Sequence, residues 1–373
     1  MATTFDLDLA LLLEPIPGDN PSGIDLREDD SPSNPWYTIR DHRGDARRAE
    51  RDLETWDNSF GGSPPDPLPA WQGLLDEGLD ALTQRTKDLE IVAYMIEALV
   101  RTDGFAGLLK GLQIANGLIE QFWETVYPRP EASDPGATIL SLAQLNGFGG
   151  GGVLLGPLRH VPITGDASGD NYALWQYLEA HTLKTLPQDD QQKKLDKGAV
   201  SLDKIQRAVA ATPVDFFRAT QNDLSQIHEE LARLDQLLDD RLPSEHKPSF
   251  NALREQLDDI QRAIKAIAPA ETIDAAAAAG GMVVAGVVGS ANAAPGGMVV
   301  GNVLSREDAF KQLTLIADFF ERSEPLSLLA EQIRKVVRLG RMNPQQYFSE
   351  LIEDEAIRRQ MFKLVGLKPP EDS

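Results

Sequence analysis

The strongest constraint in this chain is an apolar stripe that recurs in steps of three and four across residues 213–267. On the first arm it runs Phe216, Thr220, Leu224, Ile227, Leu231, Leu234, Leu238, and on the second Phe250, Leu253, Leu257, Ile260, Ile264, Ile267. Such steps put one residue per turn on a single helical face, in the rhythm of a heptad seam. The break Leu242-Pro243-Ser244 between the arms predicts a helical hairpin with antiparallel arms. Thr212 is placed as N-cap, Pro213 at the first helical position and Asp215 in the first turn, where its charge suits the helix dipole. The seam is defined by Leu224, Ile227, Leu231, Leu234, Leu257, Ile260 and Ile264. Two uses stay open for it: packing on the preceding helices, or a stalk or inter-subunit coiled coil.

Residues 275–304 are the opposite kind of sequence. They carry no charge and are rich in Gly, Ala and Val, with an imperfect repeat of Gly280-Gly281-Met282-Val283-Val284 in Gly296-Gly297-Met298-Val299-Val300. This composition predicts a flexible Gly/Ala/Val linker over 269–304, although two Val-rich copies could also pair as strands against a partner. With 373 residues to distribute, two or three domains are expected. The reading is an all-α chain with an N-terminal helical bundle domain (1–165), a middle helical segment with the hairpin (166–268), the linker, and a small C-terminal helical domain (305–373).

Within 1–165, proline and glycine clusters dominate the first 70 residues, with one helix expected around 35–57. Three amphipathic helices follow. They carry Trp71, Leu74, Leu75, Leu79 and Leu82; then Leu89, Val92, Ala93, Ile96, Leu99 and Val100, ending before Gly104; then Leu108, Leu112, Ala115, Ile119, Phe122 and Trp123. A further helix is expected around 137–147 and two more around 171–181 and 190–211; Val153–Ile163 is the one run with any polar–apolar alternation. The last 69 residues read as four short helices, with Ser305 and Asp308 forming a capping box at the first.

The chain has 36 Lys and Arg against 58 Asp and Glu, a formal net charge of −22. That sign argues against nucleic acid and against an anionic membrane surface, since both need a basic footprint. With no cysteine there is no disulfide or thiolate chemistry, and a reducing compartment fits. The first residues lack a basic segment and an unbroken apolar run, so no signal peptide is read there, no segment is apolar enough for membrane insertion, and a cytoplasmic location is expected. Gly147, Gly149 and Gly152 fit G-x-G-x-x-G, but no strand precedes them, and the reading is a loop. His42, His160, His181, His228 and His246 do not share metal-ligand spacing, and adjacent acid pairs such as Asp189-Asp190 diverge rather than converge. No catalytic, metal or cofactor site is expected, and the chain is read as no enzyme.

Several motifs then fall in order. Pro15-Ile16-Pro17-Gly18-Asp19-Asn20-Pro21-Ser22-Gly23-Ile24-Asp25-Leu26-Arg27 comes first, and Tyr37-Thr38-Ile39-Arg40 follows on a helix. Next come Lys87-Asp88-Leu89, the run from Gly104 through Gly107-Leu108 to Gly111-Leu112, and Trp123-Glu124-Thr125-Val126-Tyr127-Pro128. Their order and spacing resemble the ImpA N-terminal domain. At the other end, Ser305-Arg306-Glu307-Asp308-Ala309, the run Phe319 to Ser327 and Leu351-Ile352 resemble the short-form C-terminal domain of the TssA family, although a Leu, Leu328, replaces the usual last proline of the Glu-Pro-x-Ser-Pro phrase.

The resemblance implies a cytoplasmic, non-enzymatic assembly component of the type VI secretion system. It implies a C-terminal domain that closes into a ring of many copies, and an N-terminal domain that meets baseplate, sheath and inner-tube proteins. The short C-terminal form implies a role at the baseplate. Phe319, Phe320, Arg322, Glu324, Leu328, Leu329, Tyr347 and Phe348 are the candidate ring-interface residues, because they include more large apolar groups than so small a unit is expected to bury. The alternative reading is a soluble adaptor or regulator that binds one helical partner through the 213–267 hairpin.

Overall fold

The computed structural model describes residues 7–29, 34–56, 61–130, 136–147, 152–165 and 171–269, together with residues 31, 134 and 169. Towards the C-terminus it describes 310–311, 313–314, 317–318, 321–322 and 329–342. The chain divides into two units, residues 1–285 and 286–373. All the described regular elements are helical, and the only strand-like pairings among the described residues are isolated bridges.

In the first unit the elements are α1 (Leu9–Leu12), α2 (Pro35–Glu54), α3 (Leu68–Gln84), α4 (Leu89–Phe122), α5 (Leu140–Asn146) and α6 (Leu155–His160). They continue with α7 (Leu174–Lys184), α8 (Gln188–Asp196), α9 (Leu202–Ala211), α10 (Val214–Asp239) and α11 (Asn251–Ile267). In the second unit α12 spans Leu329–Arg341.

The centre of the first unit is α4, two helical halves joined at Gly104. Both halves are strongly apolar, and most of their residues from Leu89 to Phe122 are buried, as expected of helices enclosed by others. Helices α3, α5, α6 and α10 all pack on it, and α2 covers α3. Sequence reading places two helices here, with a stop before Gly104. The structure bears this out: at Gly104, whose φ of 61° and ψ of −129° are open only to glycine, the chain turns back, and the two helical halves of α4 pack against each other so that Leu89 and Tyr127 are hydrogen-bonded neighbours. The return is tight: a Cβ on Gly107 would lie 2.2 Å from the Leu99 carbonyl oxygen.

The hairpin forms as α10 and α11, joined through a 3-10 turn at Ser244–His246. Leu224, Ile227, Leu231 and Leu234 on α10 and Leu257, Ile260 and Ile264 on α11 are all at most 1% exposed. They belong to the same hydrophobic core as the residues of α3 and α4. Polar contacts hold the hairpin in place. Asn116 Nδ2 of α4 donates to the Glu230 carbonyl (2.9 Å) and carboxylate (2.7 Å), and Arg254 of α11 donates to the Leu231 carbonyl at 3.0 Å. The N-terminus of α11 has no capping side chain of its own, and Asn146 from the end of α5 serves instead: its Oδ1 accepts from Leu253 N at 2.7 Å while its Nδ2 donates to Ser249 O at 2.6 Å.

Four local expectations need correction. Thr212 is not the N-cap of α10. Its hydroxyl reaches backwards, donating to the Ala208 carbonyl of α9 at 2.7 Å and accepting from Gly165 N at 3.0 Å, so Pro213 becomes the N-cap and Val214 the first helical residue. The stripe starts at Phe217, which is fully buried, rather than at Phe216, which is half-buried against Gly165. The helix expected over 190–211 is two helices, because Gly198 at φ 96° ends α8 and Ser201 caps α9. The alternating run 153–163 contains the short helix α6 rather than a strand.

Since Leu231 lies inside the shared core, Leu231→Asp is expected to lower unfolding free energy by about 4 kcal/mol or more, from lost burial and an unpaired charge. Denaturant titration followed by circular dichroism checks this; a midpoint equal to that of the unchanged chain contradicts the packing described.

Candidate functional site

The motif residues, far apart in sequence, meet in one place. Residues 22–24, 85–89 and 127 lie side by side as three extended strips. Ile24 N donates to Arg85 O (3.1 Å), Lys87 N to Ser22 O (2.9 Å), Tyr127 N to Lys87 O (2.9 Å) and Leu89 N to Tyr127 O (2.8 Å). Gly23 bridges Thr86 antiparallel and Asp88 bridges Tyr127 in parallel. Asn20 ties the strips from outside: its Nδ2 donates to Gly23 O (2.6 Å) and to the Tyr127 hydroxyl (3.0 Å), and its Oδ1 accepts from Ser22 N (3.1 Å). Gly23 has φ 70°, and a Cβ there would sit 2.0 Å from Arg85 O, so both backbone conformation and space demand glycine.

Two adjacent charges are fully buried at the centre of this knot. Lys87 donates from Nζ to Leu12 O (2.8 Å) and Leu82 O (2.7 Å), carbonyls in the last turns of α1 and α3, where a cation complements the helix ends. Burial pushes its ammonium down to about 8, against a pull upward from Glu14. Asp88 caps α4, accepting from Glu90 N (2.8 Å) and Ile91 N (3.2 Å), and receives both arms of Arg27 (2.7 and 3.2 Å). Burial raises the Asp88 pKa, while Arg27 and the two N–H groups work against that rise. Arg27 also donates to Glu90 (2.8 Å) and Asp25 (3.0 Å), and its guanidinium lies 4.3 Å from the Trp36 ring centre.

The same chemistry continues along α2, whose buried apolar contribution is only Pro35, Trp36, Ile39 and Ala46. Glu97 of α4 is buried and accepts from Arg43 (3.0 Å from Nε) and Arg47 (2.8 Å) of α2. Arg101 of α4 donates to Glu50 of α2 (3.0 Å) and stacks 4.4 Å over Trp71 of α3, whose indole N–H donates to the same Glu50 at 2.9 Å. Arg43 lies 4.1 Å over Tyr94, and burial together with Glu90 raises the Tyr94 phenol above its ordinary value. The buried charges Lys87, Asp88 and Glu97 each face fixed partners, so the layer clamps α2 and the N-terminal segment onto α3 and α4.

Of the candidate ring-interface residues, Phe319, Phe320, Glu324, Leu328, Tyr347 and Phe348 lie outside the described residues, as do the Ser305–Asp308 capping box and residues 270–304. Leu329 is the first residue of α12, and Arg322 is exposed with its Nε donating to Asp318 O at 3.0 Å. Near them Arg334 donates to Asp318 at 2.8 Å. The hairpin-seam candidates are brought together, but inside the core of their own unit. Gly147 is a left-handed cap at the end of α5, φ 110°, and Gly149 lies outside the described residues. Among the described residues no group of three or more His, Asp or Glu side chains could hold a metal ion, and no helix is long and apolar enough to cross a membrane. Sequence reading did not find the buried Lys87 and Glu97. For Glu97 the available signal was a charged residue on the apolar face of a strongly apolar helix, with surplus arginines on α2 to meet it.

Two outcomes test this clamp. Gly23→Ala is expected to destabilise the first unit by at least about 2 kcal/mol, since the added carbon overlaps backbone that cannot swing away, and thermal denaturation reads it. For Lys87 the folded value of about 8 lies below the ordinary 10.5, so between these the unfolded chain binds more protons and stability rises with pH. The expected gain from pH 8 to 10.5 is on the order of 2–3 kcal/mol, and Lys87→Met should abolish that gain. Equal pH slopes for the two chains in denaturant titrations would show that Lys87 is not held as described.

Residues 13–147, which contain all of the knot but Leu12, match the family described as ImpA, N-terminal, type VI secretion system. Over 357 residues the chain is 24% identical to the type VI secretion system component TssA1 of Pseudomonas aeruginosa, covering 93% of this chain and 96% of that protein. In structure it is similar to the N-terminal domain, including the conserved ImpA_N region, of the TssA component of the type VI secretion system from Burkholderia cenocepacia. That likeness has a TM-score of 0.57 and 25% identity, covering 70% of this chain and 94% of that one. The matched family, the relative along almost the full length and the solved neighbour agree: the chain is similar to TssA components of the type VI secretion system, with residues 13–147 matching the ImpA N-terminal family.

Proposed function

We propose that this chain is a non-enzymatic assembly component of the type VI secretion system, a scaffold that acts at the baseplate and in tube and sheath assembly. The observation that carries this reading is the likeness to TssA1 along nearly the whole of both chains, so that the correspondence is not confined to the ImpA segment. The clamp supports it: the charges inside the first unit are spent on holding helices together rather than on turnover. In this reading residues 305–373 form the ring-building domain, with Phe319, Phe320, Arg322, Glu324, Leu328, Leu329, Tyr347 and Phe348 at contacts between copies. Residues 269–304 act as a flexible spacer, and the first unit meets baseplate, sheath and inner-tube proteins in the cytoplasm. The reading takes no cofactor and no nucleic acid. The adaptor alternative would need an open hairpin seam, and the burial of Leu231 and its neighbours leaves none.

Light scattering on the purified full chain is the test. The expected particle has many times the 40.8 kDa of one chain, and truncation after residue 304 is expected to reduce it to a small species. A full chain that stays at one or two copies across a hundredfold concentration range would overturn the ring.

A further inference from the structure

Residues 172–211 stand apart from the core that organises the first unit. Tyr172, Ala180, Ile205 and Ala208 form a small hydrophobic cluster of their own, edged by Val200 and Leu202. This cluster meets the main core through Tyr177 and Val209, which are partly buried, and Leu174 at the start of α7 is the residue of the segment that enters the main core outright. Helix α8, between α7 and α9, buries no side chain, and half of the small cluster is alanine. Burial on that scale offsets little of the conformational entropy lost in ordering three helices.

Both ends of the segment are fastened to the same three residues. Ile163 N donates to Tyr172 O at 2.8 Å, and the hydroxyl of the buried Thr164 accepts from Tyr172 N at 2.8 Å. Gly165 N donates to the hydroxyl of Thr212, the residue that follows α9, at 3.0 Å. That hydroxyl in turn donates to Ala208 O at 2.7 Å and closes the last turn of α9. Beside these contacts Pro162 bridges Ala173, and the His160 ring leans on Trp175 with 5.6 Å between centres. The segment therefore leaves and rejoins the rest of the unit at one place. Among the described residues no ion pair joins it to the other helices, and its own pair, Lys193 with Asp190, lies within α8.

Segments with few buried apolar contacts open below the free energy of global unfolding, and they do so as contiguous units. A segment whose two ends are held side by side can open without pulling its neighbours apart. We propose that residues 172–211 are a hinged module that opens by local unfolding as one unit, with Ile163–Gly165 as its latch, while α3, α4, α10 and α11 stay folded. Opening draws Leu174 and Tyr177 out of the main core and bares apolar surface that the closed form covers. The inference is independent of ring formation, since it concerns residues of the first unit alone.

The test is native-state hydrogen exchange of the full chain at neutral pH, read peptide by peptide in a mass spectrometer. The slowest amides of α7 and α9 are expected to exchange at a common rate, at least about a hundredfold faster than the slowest amides of α4 and α10. Thr164→Val keeps the shape of the side chain but leaves the Tyr172 N–H without its acceptor. It should speed exchange in α7 and α9 together, by about fivefold or more, and leave α3 and α4 unchanged. Ile205→Ala, which empties the small cluster without touching the latch, should do the same. Exchange in α7 and α9 as slow as in α4 would overturn the proposal. So would no response to Thr164→Val, a response in one of the two helices without the other, or an acceleration that reaches α4 and α10.

Discussion

Lys87 and Asp88 are neighbours in sequence, opposite in charge and fully buried, and the first unit is organised around them. On an extended strip successive side chains point to opposite sides, so the two charges enter different environments. The ammonium closes the carbonyl ends of α1 and α3, and the carboxylate opens α4 and receives Arg27. One dipeptide therefore sets where three helices end or begin. Neither charge would survive burial alone, because removing an ion from water costs several kcal/mol unless hydrogen bonds replace the lost hydration. The extended strips at Ser22–Ile24 and Tyr127 position those replacements, and this is why Gly23, with no room for a Cβ, lies beside Arg85.

The attachment of α2 follows the same logic at larger scale. A helix with few apolar residues cannot be held by burial alone, and α2 is held by arginine–carboxylate pairs to α4, of whose arginines Arg43 and Arg101 also lie over the Tyr94 and Trp71 rings. Glu97 shows why the arrangement is sensitive to change. Removing either Arg43 or Arg47 leaves a buried carboxylate short of donors, whereas an exposed pair such as Arg48–Asp45 contributes little. The hairpin is built by the other route, through leucine and isoleucine, with only a few polar pegs such as Asn116 and Asn146. Two kinds of cohesion thus act on α4, one resting mainly on ion pairs and the other mainly on apolar burial.

The parts legible in the sequence were those with strong periodicity. The hairpin arms, the amphipathic face of α3 and the break at Gly104 all follow from spacing of three and four or from a glycine where the pattern stops. What spacing missed was decided by side chains that reach outside their own helix. Thr212 looks like a cap for α10, yet its hydroxyl is taken by Ala208 and Gly165, and no one-dimensional pattern shows that competition. Gly198 was readable as a helix end, with Ser201 as the next cap, but polar residues on both sides hid the change of helix. Glu97 was invisible because a charge inside an apolar helix run reads as a solvated face until Arg43 and Arg47, 50 or more residues away, are in place, and Lys87 because a lysine just ahead of a helix reads as exposed until the carbonyls of Leu12 and Leu82 close on it.

The motifs that carry the likeness to the ImpA N-terminal family are spent inside the fold of this chain. Asn20, Gly23, Arg27, Asp88 and Tyr127 make their contacts with one another, and the geometry of each is accounted for inside the fold. A residue already committed to four internal hydrogen bonds, as Arg27 is, has little left for a visiting protein. Recognition must then come from groups that the fold leaves exposed, and the clamp can stay fixed while those groups change.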